Sequence, residues 1–167
     1  MTHTFCVTVS PEDLGFRALH FAIHPNGESE ALHGHRYSVA VTAYGPLCAD
    51  GYVLDFRILE DIAYQVCKPL DRKVLLPRDN EALTIQCTDT TVTASHSQRT
   101  YCFPAAEVVI LPLRNTTTEL LAGHLADEIV TCLHKLEPSI YALELRIEES
   151  PGQAATVRIV RPRTADT

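Results

Sequence analysis

The stretch Ala31-Leu32-His33-Gly34-His35-Arg36-Tyr37, running on through Val39 and Val41, constrains this chain more than any other. Tyr and Val favour extended backbone, and an extended strand turns alternate side chains to the same face. His33, His35, Tyr37, Val39 and Val41 then share one face, apolar at one end and carrying two imidazoles at the other. Neutral ring nitrogens bind zinc at about 2.0–2.1 Å, and three protein ligands with one open position make the catalytic arrangement. A third histidine, His20, lies in the short strand-like run Phe16-Arg17-Ala18-Leu19-His20-Phe21. If that run pairs antiparallel with the strand over 35–45, His20 completes a three-histidine site.

The rest of the chain reads as one domain over residues 1–167. Phe5, Val7 and Val9 alternate with polar residues, and Pro25-Asn26-Gly27 opens a loop that carries Glu28, Ser29 and Glu30 to the histidine strand. Leu59, Ile62, Ala63, Val66 and Leu70 recur at helical spacing. Residues 80–104 alternate between β-branched and polar types and read as a β-hairpin insertion. Val108–Leu113 is a short apolar strand. Thr116 and Glu119 have capping-box spacing ahead of a second helix that carries Leu121, Leu125, Ile129 and Leu133. Tyr141, Leu143, Leu145 and Ile147 then alternate, with Glu149 in the same inward register, and Pro151-Gly152 turns the chain into a last strand. This order predicts an α+β domain with a largely antiparallel sheet.

Composition removes several classes of function. A net charge of −7 argues against nucleic acid as a partner, and an anionic substrate would need a local cluster of Lys and Arg. No apolar run approaches the ~20 residues of a membrane span. The first residues lack a basic segment followed by a long apolar one, and the six cysteines include no Cys-x-x-Cys pair. Reduced thiols in a cytoplasmic protein are the expectation.

Five motifs occur in a fixed order: Glu30-Ala31-Leu32-His33-Gly34-His35, Gly51-Tyr52-Val53-Leu54-Asp55-Phe56, Leu70-Asp71, Asn115-Thr116-Thr117-Thr118-Glu119-Leu120-Leu121-Ala122, and Glu149. Together they resemble the 6-pyruvoyl tetrahydropterin synthase and 6-carboxytetrahydropterin synthase family, from about Phe16 to Ala155. The resemblance implies the tunnelling fold, a largely antiparallel four-stranded sheet with two helices on one face. It also implies a homo-oligomer, a hexamer formed as a dimer of trimers, with active sites between subunits. By the same resemblance His20, His33 and His35 hold Zn2+, Glu149 recognises the pterin ring, Thr117 helps hold it, and Asp71 belongs to a proton-transfer pair.

Two positions depart from the family pattern. Tetrahydropterin-forming members carry a catalytic cysteine where this chain has Ser29, and a hydroxyl is a far poorer proton-transfer group near neutral pH than a thiol. Glu30 follows directly, and Glu-x-x-His-Gly-His resembles the class in which glutamate replaces the cysteine. That class converts 7,8-dihydroneopterin triphosphate to 6-hydroxymethyl-7,8-dihydropterin, a folate precursor. The second departure is Arg72, where the family has a histidine after the aspartate; a guanidinium cannot shuttle protons. Arg72 and Lys73 then either contact the triphosphate or pair with Asp71. The expected activity is a zinc-dependent pterin lyase with Glu30 moving the proton. The alternatives are 6-carboxytetrahydropterin synthesis on the queuosine route, 6-pyruvoyl tetrahydropterin synthesis, and a zinc- and pterin-binding paralogue without turnover.

Overall fold

The histidine strand is the middle of the molecule. The computed structural model describes residues 3–161. In chain order its elements are β1 (Phe5–Val9), β2 (Gly15–His20), β3 (His33–Gly45), α1 (Phe56–Cys67), β4 (Lys73–Pro77), β5 (Thr84–Cys87), β6 (Thr91–His96), β7 (Arg99–Pro104), β8 (Val108–Leu111), α2 (Thr118–Leu136), β9 (Ala142–Ser150) and β10 (Gln153–Val160). Along β3 the side chains of Tyr37, Val39, Val41 and Ala43 are buried, as the alternation requires. β9 pairs antiparallel with β3 over Ser38–Tyr44, while β2 and β1 pair antiparallel with its first and last thirds. Where β2 begins, a Cβ on Gly15 would collide with the Tyr37 carbonyl oxygen, so only glycine lets the strands approach there.

The sheet is larger than the four strands expected. Its order is β10-β9-β3-β2-β4-β8, with β1 also on β3, seven strands in all. The pairings of β2 with β4 and of β4 with β8 are parallel. β4 hides from a period-two reading because it is covered on both faces. Leu75 enters the main core, whereas Val74 and Leu76 enter a second cluster with Phe21, Ile23, Val92 and Ala94. That second cluster lies beneath the insertion, which is a three-stranded antiparallel meander, β5-β6-β7, rather than a hairpin.

Both helices contribute to the main core. α2 presents Leu121, Leu125, Ile129 and Leu133, all essentially inaccessible, together with Leu143, Leu145 and Ile147 of β9. Burying each such side chain stabilises the fold by roughly 1.5–3 kcal/mol. The capping box expected from Thr116 and Glu119 is not formed. Thr116 is buried and its hydroxyl donates to the Phe21 carbonyl, so the helix starts one residue later with Thr117 as N-cap. Among the described residues no helix is long and apolar enough to cross a membrane.

Candidate functional site

Antiparallel register assembles the histidines. His20 is directly opposite His33 across β2 and β3, and His35 lies two residues further along the same face. The ring centroids are 4.7 Å apart for His20 and His33, 4.8 Å for His33 and His35, and 5.3 Å for His20 and His35. One ligand atom from each histidine and one from Glu149 all lie within 4.8 Å of one another. Donors around a tetrahedral ion at about 2.0–2.1 Å sit roughly 3.4 Å apart, within reach of small ring rotations.

Second partners already orient two of the rings. His20 Nδ1 lies 2.9 Å from the Thr116 carbonyl oxygen, and His33 Nδ1 lies 2.7 Å from that of Ala31. Each Nδ1–H donates outward, which leaves the Nε2 lone pair toward the cluster, the usual arrangement behind a metal-binding imidazole. His35 Nε2 is buried and makes no hydrogen bond, although it lies 3.1 Å from Glu149 Oε1. An orphaned buried ring nitrogen aimed at two other imidazoles fits a ligand position. Burial, then the neighbouring His33, lowers the pKa of His20 and favours its neutral, ligating form. The three histidines therefore fit a zinc ion.

Glu149 forms one wall. It continues the inward register of Leu143, Leu145 and Ile147, and its carboxylate, 24% exposed, accepts from the Thr118 hydroxyl at 2.8 Å. Its other oxygen faces Tyr37 Oη at 3.4 Å, and Tyr37 Oη lies 3.0 Å from His20 Nε2. Burial and the adjacent Glu149 raise the Tyr37 pKa, so the phenol stays a donor. Glu148 points the other way. It accepts from the Gly152 amide, which holds its carboxyl below the usual range ahead of the Arg146 guanidinium 2.6 Å away.

The threonine on Glu149 is Thr118 and not Thr117. The Thr117 hydroxyl accepts from the Leu120 amide as the helix cap, and its residue lines a neighbouring cleft of about 740 Å³ with His24, Asn115 and Arg114. Sequence reasoning missed Thr118, Asn115 and the polar contacts of Tyr37. Asn115 fastens the threonine segment to the loop after β2: its Oδ1 accepts from the Ile23 amide and its Nδ2 donates to the Ile23 carbonyl. Tyr37 carried a signal in sharing the parity of His33 and His35, and Asn115 and Thr118 lie within the motif over 115–122.

Glu30 stands at the rim. One carboxylate oxygen accepts from the Ala22 amide at 3.1 Å and lies 3.9 Å from His33 Nε2; the other lies 3.9 Å from His24 Nε2. At 37% exposed, it keeps access to both the cluster and solvent. Ser29, beside it, bridges to Ile23.

Comparison with known proteins agrees with this geometry. The family model for 6-pyruvoyl tetrahydropterin synthase matches residues 10–159. The chain belongs to that family of pterin-processing lyases. A Methanocaldococcus jannaschii protein provisionally named 6-carboxy-5,6,7,8-tetrahydropterin synthase is 35% identical over 148 residues, 87% of this chain and 90% of that one. The 6-carboxy-5,6,7,8-tetrahydropterin synthase of Rickettsia conorii is 26% identical over 139 residues, 82% of this chain and 90% of that one. Among solved structures, a Plasmodium vivax 6-pyruvoyltetrahydropterin synthase whose catalytic glutamate is replaced by alanine superposes with a TM-score of 0.89. Its identity is 29%, over 95% of this chain and 99% of that one.

Asp71 is not among the residues of the cluster. Asp71 accepts from the Arg17 amide at 2.9 Å and pairs with the Arg17 guanidinium at 3.4 Å. The Arg17 amide, and then its guanidinium, holds the Asp71 carboxyl below its ordinary range. Arg72 Nε lies 3.6 Å from the same carboxylate, and the Lys73 ammonium donates to the Ala106 carbonyl. Asp71 thus makes its contacts with Arg17 and Arg72, on the face of β2 opposite His20.

Proposed function

We propose that this protein is a zinc-dependent lyase acting on 7,8-dihydroneopterin triphosphate and giving 6-hydroxymethyl-7,8-dihydropterin. The observation that carries this reading is Glu30, a carboxylate 3.9 Å from a histidine of the cluster, directly after the serine that replaces the family's thiol. A glutamate named as catalytic in the similar Plasmodium vivax protein supports it.

Each residue has a separable task. Glu149 accepts paired N–H bonds from the amino-pyrimidinone edge of the pterin, a charge-assisted and strongly oriented contact. Thr118 holds one oxygen of that carboxylate in place, and Tyr37 keeps a donor beside the other. Glu30 moves a proton to or from the side-chain carbons, one carboxylate oxygen tied to the Ala22 amide and the other 3.9 Å from His24 Nε2. His20, His33 and His35 would hold a zinc ion, which would supply Lewis-acid polarisation of the side-chain oxygens. Asp71 sits with Arg17 and Arg36 around a separate concavity of about 280 Å³. It can serve the reaction only if another copy brings it there, which a homo-oligomer with sites between subunits does.

A second reading, 6-carboxy-5,6,7,8-tetrahydropterin synthesis, is favoured by the names of the Methanocaldococcus and Rickettsia relatives. The deciding experiment incubates zinc-loaded protein with 7,8-dihydroneopterin triphosphate and identifies the product by mass. We expect the hydroxymethyl product. A carboxy product replaces it with the second reading, and no turnover with retained pterin binding identifies a paralogue that has lost activity.

A further inference from the structure

Outside the site, the tip of the β6–β7 hairpin meets the loop that carries Glu30. The loop is itself a small hairpin. The Ile23–Ser29 bridge and the bond from the His24 amide to the Glu28 carbonyl at 2.7 Å close it, and the Glu30 amide donates to the Ala22 carbonyl at 3.0 Å. Asn115 holds the base of the loop through its two bonds to Ile23. The insertion holds the far side. Arg99 Nη1 donates to the Glu30 carbonyl at 2.7 Å and to the Ser29 carbonyl at 3.1 Å, and approaches Ser29 Oγ at 3.4 Å. The ring nitrogens of His96 lie 2.9 and 3.0 Å from the carbonyl oxygens of Ala82 and Gly27.

Strand geometry explains why both side chains meet the loop. His96 and Arg99 are a directly opposed pair across β6 and β7, so they project from the same face of the hairpin. Only two residues join them, and Ser97 takes a left-handed backbone, φ 53°, to close the turn. That conformation is uncommon for a residue with a side chain. His96 is 8% exposed, so its position is fixed by its surroundings, while Arg99 sets one guanidinium nitrogen, Nη1, against two consecutive carbonyls.

We propose that the β6–β7 hairpin is a clamp on the Glu30 loop, with Arg99 the principal positioning residue and His96 a second pin. Neither touches the reacting atoms; both set where the Glu30 carboxylate stands over the histidine cluster. The kinetic part rests on Glu30 being the proton-transfer group, while the mechanical part does not.

The test combines exchange and kinetics. Arg99→Met removes the donors and keeps the length of the side chain. Hydrogen exchange of the segment over residues 22–32 should accelerate at least tenfold, with exchange in β9 unchanged as the control for folding. In turnover of 7,8-dihydroneopterin triphosphate, kcat should fall by about 10²-fold with KM nearly constant, as for a misplaced catalytic group. Arg99→Lys should recover part of that loss. In a Glu30→Gln background, Arg99→Met should cost little more, because its effect passes through Glu30. Unchanged exchange over 22–32 overturns the clamp, whether or not the protein turns over pterins. Faster exchange with an equal kinetic loss in both backgrounds overturns positioning through Glu30. Faster exchange in Arg99→Met, beside a wild type that does not turn over the substrate, sustains the clamp and contradicts the proposed function instead.

Discussion

The two carboxylates of the site rest on different supports. Glu149 ends β9 in a register set by three fully buried residues before it, and the floor of histidines is set the same way by β2 against β3. Glu30 rides a loop whose position depends on main-chain bonds to Ala22 and on donors from a distant hairpin. On the proposed reading the binding groups stand on strands, where a one-residue error would turn them to the other face. The proposed proton-transfer group stands where it keeps access to solvent. Binding and turnover should therefore separate on mutation.

The largest effect is expected at the floor. Replacing both His33 and His35 with alanine should abolish zinc binding, measured as metal per chain, and leave a folded protein. Full zinc occupancy in that variant would remove the metal site. Glu149 comes next. Glu149→Ala should weaken binding of a simple pterin by about 2–3 kcal/mol, on the order of 10²-fold, while Glu148→Ala changes little. Because Glu149 also lies among the potential ligand atoms, the same variant should be assayed for zinc. Retained metal with lost pterin binding assigns it to the ring.

The adjacent threonines sharpen the contrast at lower cost. Thr118→Val should weaken pterin binding by roughly 1–2 kcal/mol, since it removes a hydrogen bond to a charged group. Thr117→Ala should instead cost about 1 kcal/mol of stability as a lost cap, read as a shift in melting temperature. The smallest expected effect is chemical. Burial pushes the Cys67 thiol up to about 12, while Cys6, Cys48, Cys87 and Cys102 are exposed. A thiol reagent at mild pH should label those four and leave Cys67 unmodified until the protein unfolds.

The difference between strand and loop also sorts what the sequence could reveal. Alternation exposed β3 and β9, and with them the shared face of His33, His35 and Tyr37 and the inward side of Glu149. It could not expose β4, whose Val74, Leu75 and Leu76 are buried on two sides and read as an unbroken apolar run. Among three consecutive threonines, capping-box spacing chose Thr116, one residue before the actual N-cap of α2. The Thr116 bond to Phe21, 95 positions away, chooses Thr117 as cap and brings Thr118 to Glu149. The loop shows the same limit. Glu30 was singled out by the resemblance of Glu-x-x-His-Gly-His to a class of the family, but Arg99 and His96 lie about 70 positions away with no local pattern to mark them.

The most direct measurement compares Glu30→Gln with wild type in zinc content, pterin affinity and turnover. Glutamine keeps size and polarity and removes the ionisable group. Zinc content and pterin affinity should stay at wild-type levels while turnover of 7,8-dihydroneopterin triphosphate falls by roughly 10²–10⁴. Turnover at the wild-type rate would contradict the assignment of proton transfer to Glu30, and with it the division between a binding floor and a reactive loop.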